Sequence, residues 1–218
     1  MVERTQGLIL RTRPLTDTSL IVQWLTPDLG RLATVAKGAR RPKSPFRGKL
    51  DLFYLADFSF SRSRRSELHT LREVVLRETH VALREELARL QQASHCAALI
   101  EQTTETETPL PVLFELLKGL LGQLSNQPPQ PLTRFAFEMK LLAELGLKPD
   151  LAASQLSPGA RRILETAAIA DWKALSRLKL TEIQIQEIGQ FLRGFLIYHF
   201  GKLPYSNGSR PPGGVSLI

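Results

Sequence analysis

Residues 37–49 read Lys-Gly-Ala-Arg-Arg-Pro-Lys-Ser-Pro-Phe-Arg-Gly-Lys, six cations in thirteen residues with no acid among them. Gly38, Pro42, Pro45 and Gly48 rule out a helix and make the stretch a flexible loop. A loop so charged repels itself and costs folding stability, so the chemistry it suits is the binding of phosphates that neutralise it. Lys37, Arg40, Arg41, Lys43, Arg47 and Lys49 are therefore the candidate nucleic-acid contacts, against the plainer reading of a solvated charge run. Arg62, Arg64 and Arg65 form a second cluster in a turn, and Arg11 and Arg13 project from one face of a strand. Few Asn or Gln residues lie near the loop to read base edges, so affinity is expected to come from charge rather than sequence readout.

Stacking is the other chemistry a nucleic-acid binder uses, and aromatic residues cluster at Trp24, Phe46, Phe53, Tyr54, Phe58 and Phe60. Trp24, Phe58 and Phe60 alternate with aliphatic neighbours and read as core. Phe46 sits inside the basic loop, where nothing in the sequence buries it, and is the stacking candidate. Catalytic signatures are missing. His69, His80, His95 and His199 have no paired spacing. Cys96 follows His95 directly, but adjacent helical residues point about 100° apart, so Cys96 reads as a small buried residue. Neither a phosphate-binding glycine loop nor a nucleophile elbow is present. Glu105 and Glu107, in a threonine-rich break, read as solvated loop acids. With one cysteine the chain can build neither a disulfide framework nor a cysteine-based zinc site, so no cofactor or metal is expected.

The elements that must carry these residues change character near residue 79. Before it the pattern has period two, with strands expected at 6–13, 19–25, 31–38, 49–61 and 68–77 and a turn at Pro27-Asp28-Leu29-Gly30. Five strands with a long fourth suit the oligonucleotide-binding (OB) barrel, although strand count alone does not separate it from an SH3-like barrel. After residue 79 the period becomes 3.6. Leu83, Leu87, Leu90 and Ala97 open a helix that the acidic stretch 101–108 ends. Helices follow at 112–124 and 133–146, the latter apolar nearly all round as in the centre of a bundle. Ser157 with Pro158, and the Thr181/Gln184 capping box, start two more. The expected fold is α+β: a five-stranded barrel over 1–78, an all-α domain over 79–203 and an extended tail over 204–218.

Charge divides at the same place. The chain of 218 residues carries a formal net charge of +8 and has a pI near 10. Residues 1–80 hold 15 of its Lys and Arg against 8 Asp and Glu, whereas the remainder is nearly neutral. A basic first third points to a polyanionic partner, nucleic acid first. No apolar stretch approaches the length of a membrane span, and MVERTQGLIL lacks the features of a secretory signal, so a cytoplasmic, nucleoid-associated protein is expected.

Residues 30–44, Gly-Arg-Leu-Ala-Thr-Val-Ala-Lys-Gly-Ala-Arg-Arg-Pro-Lys-Ser, followed by Gly48-Lys-Leu-Asp-Leu-Phe53, resemble the bacterial recombination mediator family RecO. The opening Gly7-Leu-Ile-Leu-Arg11, Asp17-Thr-Ser-Leu-Ile21 and the stretch 133–147 are similar to that family as well. The resemblance implies an N-terminal OB barrel, a helical C-terminal domain and a non-enzymatic role. That role is to bind and anneal single- and double-stranded DNA and to work with RecR and single-strand binding protein in loading RecA. Two departures stand out. Many members carry a four-cysteine zinc module after the position of Asp150, where this chain has Leu-Ala-Ala-Ser-Gln-Leu-Ser-Pro, and the family's terminal G-x-P-L-K-S-R motif survives only in outline at 201–210. The family context also suggests a pocket for the acidic, aromatic tail of single-strand binding protein on the third helix. Arg134 and Lys140 would meet its carboxylates, beside Phe135 or Leu142. The reading from another class is an RNA-binding or ribosome-associated barrel protein.

Overall fold

Alternating apolar residues fold into five strands that close on themselves: β1 (Val2–Pro14), β2 (Leu20–Thr26), β3 (Gly30–Ala36), β4 (Leu55–Ser61) and β5 (Leu68–Glu78). The computed structural model describes residues 2–203; the segment 204–218, read from sequence as a tail, lies outside them. The strands run β1-β2-β3-β5-β4 around a closed barrel in which only the β3–β5 pair is parallel, an OB barrel. β1 is long enough to pair with β4 through its first half and with β2 through its second. A bulge between Ile9 and Arg11 lets Ile9 face the interior opposite Trp24 while Arg11 pairs with Gln23. Strict alternation puts Ile9 and Arg11 on one face; the extra residue is what separates them. The interior holds Ile9, Val22, Trp24, Leu32, Phe58, Phe60, Leu71 and Val74. Trp24 stacks on Phe58 with ring centroids 4.0 Å apart and donates its indole N–H to Thr34 Oγ1 at 2.8 Å.

The fourth strand is shorter than its sequence suggests. Residues 49–54 lie outside the strand, which begins at Leu55, two residues after Phe53 with its φ of 64°. A second difference concerns the break between the first two helices. Residues 104–115 belong to the barrel unit and form a strap across the β2–β3 turn. Glu107 N donates to Arg31 O at 2.8 Å, Leu110 N to Pro27 O at 3.2 Å, and the Arg31 guanidinium reaches the Thr104 hydroxyl and carbonyl. Gly30 has φ 66°, and any Cβ there would overlap the Thr108 carbonyl, so both conformation and space demand glycine.

The helical unit comprises a 3-10 turn (Val81–Arg84), α1 (Leu87–Thr103), the body of α2 (Pro111–Asn126), α3 (Pro131–Glu144), α4 (Pro158–Ile169), a short α5 (Trp172–Leu175) and α6 (Glu182–Phe200). α3 is its centre, touching α1, α4, α5 and α6. Ser157 caps α4 ahead of Pro158, and Thr181 and Gln184 form the capping box of α6. Gly146 follows α3 with φ 71°. The four-residue α5, capped by Asp171, has no counterpart in the sequence reading, because one turn is too short to show a period.

Candidate nucleic-acid interface

The basic loop leaves β3 at Ala36 and passes through linked turns. Arg41 N donates to Gly38 O, Ser44 N to Arg41 O, Arg47 N to Ser44 O and Lys49 N to Phe46 O, at 3.0–3.2 Å. Gly38 and Gly48 have φ near 70°, as such turns require. Arg40 N donates to Thr18 O at 3.0 Å and Gly38 N to Ser19 Oγ at 3.3 Å, which ties the loop to the β1–β2 connection. The loop is ordered, contrary to the expectation of flexibility. Backbone hydrogen bonds and buried anchors replace the sheet that its glycines and prolines forbid.

Phe46 is the chief anchor and the chief correction. It is only 7% exposed and belongs to the barrel's interior cluster, against which Ala39 and Leu50 also pack. A ring so buried offers no face to a base, so Phe46 is not a stacking platform. Its neighbours in sequence point the other way: Lys37, Arg40, Arg41, Lys43 and Arg47 are exposed and Lys49 half-buried. Among the described residues none of the six meets a carboxylate. The recorded side-chain bonds are to carbonyls, Arg40 to Thr16 O at 3.4 Å and Arg47 to Pro42 O at 3.3 Å.

Strand pairing decides which other cations join them. Pro14 pairs with Leu20 and Leu20 with Ala36, so Arg13, exposed near the end of β1, shares the loop's end of the barrel. Arg11 lies one step further along the same outer row, opposite Gln23. Val2, at the other end of β1, pairs with Ser61, which places the turn carrying Arg62, Arg64 and Arg65 at the opposite end. Arg64 and Arg65 are exposed there. Arg62 is committed within the protein: it bonds Glu3 at 2.8 Å and Glu107 at 2.6 Å. These hydrogen bonds raise its pKa further and hold the Glu3 carboxyl below its ordinary value. Arg62 is therefore a structural ion-pair partner and not a free contact for phosphate.

Glu107 likewise differs from its sequence reading as a solvated acid. Besides Arg62 it meets His69 Nε2 at 3.0 Å, and His69 is buried against the Phe60 ring. Because Ser63 N–H donates to His69 Nδ1, the ring's proton sits on Nε2 and is donated to Glu107. The local sequence around Glu107 carries no signal for this, since each partner lies more than thirty residues away.

On α3 the partner pocket expected from sequence is filled from within. Phe135 and Leu142 are fully buried in the helical unit. Arg134 lies over the Phe135 ring, 5.1 Å from its centroid, and sits 3.6 Å from Glu138, which also meets His95 Nε2 at 2.9 Å. Lys140 donates to Ala168 O at 3.3 Å, and burial lowers its pKa. The apolar character of α3 serves the bundle core, and the four residues do not form an open pocket. Cys96 is completely buried, and burial pushes its thiol well up. Among the described residues no three of His, Cys, Asp and Glu gather as a metal site would need, and no helix is long and apolar enough to cross a membrane.

The family model described as Recombination protein O N terminal matches residues 1–80, and the one described as Recombination protein O C terminal matches residues 84–154. Among curated proteins, DNA repair protein RecO of Rhodopirellula baltica is 33% identical over 143 residues, 66% of this chain and 53% of that protein. The Bacillus subtilis protein of the same name is 31% identical over 151 residues, 69% of this chain and 58% of the relative. That of Symbiobacterium thermophilum is 36% identical over 151 residues, 67% and 58% respectively. The chain thus matches a little over half the length of these relatives.

Proposed function

The chain belongs to the Recombination protein O family, and from that premise we propose that it is a DNA-binding, non-enzymatic protein of recombinational repair. In this reading it holds single- and double-stranded DNA on the barrel, anneals complementary strands coated with single-strand binding protein, and with RecR helps to load RecA, in the cytoplasm at the nucleoid. The observation that carries the reading is the set of six loop cations, tied down by the backbone and without carboxylate partners among the described residues. Unpaired cations on an ordered loop are attracted to polyphosphate because binding releases condensed counterions. Arg13 extends the same end of the barrel, and Arg11 continues its row.

The reading is tested by annealing of complementary strands coated with single-strand binding protein, alongside direct binding to an oligo-dT strand. With about four phosphates neutralised, log K against log salt is expected to fall with a slope near −3 for single strands. Absence of both binding and annealing at low salt would reject the proposal.

A further inference from the structure

The acid-free, cation-rich loop at residues 37–49 is tied down by its own backbone. Ala39, Arg40, Arg41, Ser44, Arg47 and Lys49 spend their backbone N–H groups on backbone carbonyls, and Phe46 N donates to Ser44 Oγ at 3.2 Å. At the centre, Phe46 is buried in the barrel's interior cluster while the cations around it are exposed or half-buried. Like charges crowded on one loop would separate if the backbone were free. A buried aromatic ring supplies the opposing force, since withdrawing it would return a large apolar surface to water.

We propose that Phe46 is a positioning residue for the phosphate-binding loop. It pins the loop to the barrel core and so presents the six cations as an array formed before DNA arrives. This inference rests on the DNA-binding reading of the same loop. A loop ordered in advance does not pay the entropy of ordering its backbone and long side chains on binding. The number of phosphates engaged is set by the cations and not by the pin, so affinity and salt dependence separate. Loss of Phe46 weakens binding at every salt concentration and leaves the slope alone; loss of cations changes the slope.

The test uses the full chain, an oligo-dT strand and hydrogen exchange of the loop amides. Phe46→Ala is expected to bind about tenfold more weakly with an unchanged salt slope, and the amides of Arg41, Ser44, Arg47 and Lys49 should exchange faster. Phe46→Leu, which keeps an apolar plug, should stay within about threefold of wild type. Because Phe46→Ala also opens a hole in the core, Gly38→Ala is the second variant. At φ 69° an alanine is strained, and the nearest foreign atoms belong only to the Arg41 side chain, so the loop is disturbed and the barrel spared. Its melting temperature should fall by a few degrees at most, less than in Phe46→Ala, because the strain leaves the core filled, while affinity is lost with the slope kept. Faster exchange with wild-type affinity in Gly38→Ala overturns the proposal, as does unchanged exchange in Phe46→Ala. If the wild type does not bind the strand at all, or neutralising Arg40, Arg41 and Lys43 leaves binding untouched, the DNA-binding reading itself falls, whatever the amides do.

Discussion

Two regions of one barrel carry comparable numbers of cations and treat them in opposite ways. In the loop at residues 37–49, six cations have no carboxylate partner among the described residues. On the wall formed by β1, β4 and β5, and at the corner beyond it, four arginines are engaged, although Arg64 and Arg65 in the same corner are exposed. Arg77 pairs with Asp57, Arg4 lies 3.9 Å from Glu73, Arg72 bonds Ser61 Oγ, and Arg62 joins Glu3 to Glu107. Paired cations hold strands and strap together; unpaired ones hold potential in reserve for an outside anion. The footprint of a polyanion is therefore marked by charge left over after internal pairing, and net charge by itself overstates it.

The largest expected effect comes from removing the same amount of charge on each side. Neutralising Arg40, Arg41 and Lys43 together should cost about 100-fold in single-strand affinity near 0.1 M salt and flatten the slope by about two, if each meets one phosphate. Neutralising Arg4, Arg62 and Arg77 together should change affinity of the folded protein by less than about threefold. Equal losses from the two triple variants, read by fluorescence titration across a salt series, would dissolve the distinction between paired and unpaired charge.

The strap side should respond in stability instead. Gly30→Ala forces a positive φ on alanine and drives its Cβ into the Thr108 carbonyl. Strain of this kind costs about 2 kcal/mol, visible as a lower midpoint in chemical denaturation, with DNA affinity of the folded protein unchanged. Glu107→Gln is milder: it keeps an acceptor for His69 but removes the charge opposite Arg62, for a loss of about 1 kcal/mol. It also leaves Arg62, at the end of the barrel away from the loop, held by Glu3 with the Glu107 charge gone. The comparison sharpens if the salt slope stays put in this variant. A slope steeper by about 0.7 would mean that DNA reaches both ends.

Much of this was legible in the sequence, for reasons that differ by element. Strands and helices announce themselves by periodicity, and Thr181/Gln184 or Ser157/Pro158 by local capping chemistry, so the barrel followed by a bundle could be read directly. The basic loop could be read because its residue types are contiguous. What could not be read is non-local. Phe46 looks stranded among cations until the fold takes it into the barrel's interior cluster. Arg62 looks like one more free cation until Glu3 and Glu107 arrive from either direction. The bulge at Ile9/Arg11 hides in an apparently regular alternation, and the apolar girth of α3 is the same whether it lines a pocket or fills a core. Local patterns specify element and composition; pairing and burial belong to the assembled chain.

The smallest expected effect is an acid limb confined to the paired side. Arg62, by its hydrogen bond first and its charge second, holds the Glu3 carboxyl below its ordinary value of 4.5, and Arg77 does the same to Asp57. A carboxyl whose folded-state pKa is depressed binds protons more readily when the chain is unfolded. Its stabilisation is then complete above the ordinary value and drains away as pH falls through the lower, folded-state value. Glu3 is half-buried and Arg62 partly exposed, so solvent screens the pair in part and its share is below about 1 kcal/mol. Denaturation midpoints measured between pH 6 and pH 3 should thus fall slightly below about pH 4.5 in the wild type and fall less in Glu3→Gln. Among the described residues the loop has no carboxylate pairs to lose, so the Arg40, Arg41 and Lys43 triple variant should keep the wild-type acid limb. If that variant instead altered the limb as much as Glu3→Gln does, the loop cations would be paired in solution, and the contrast between the two regions would fail.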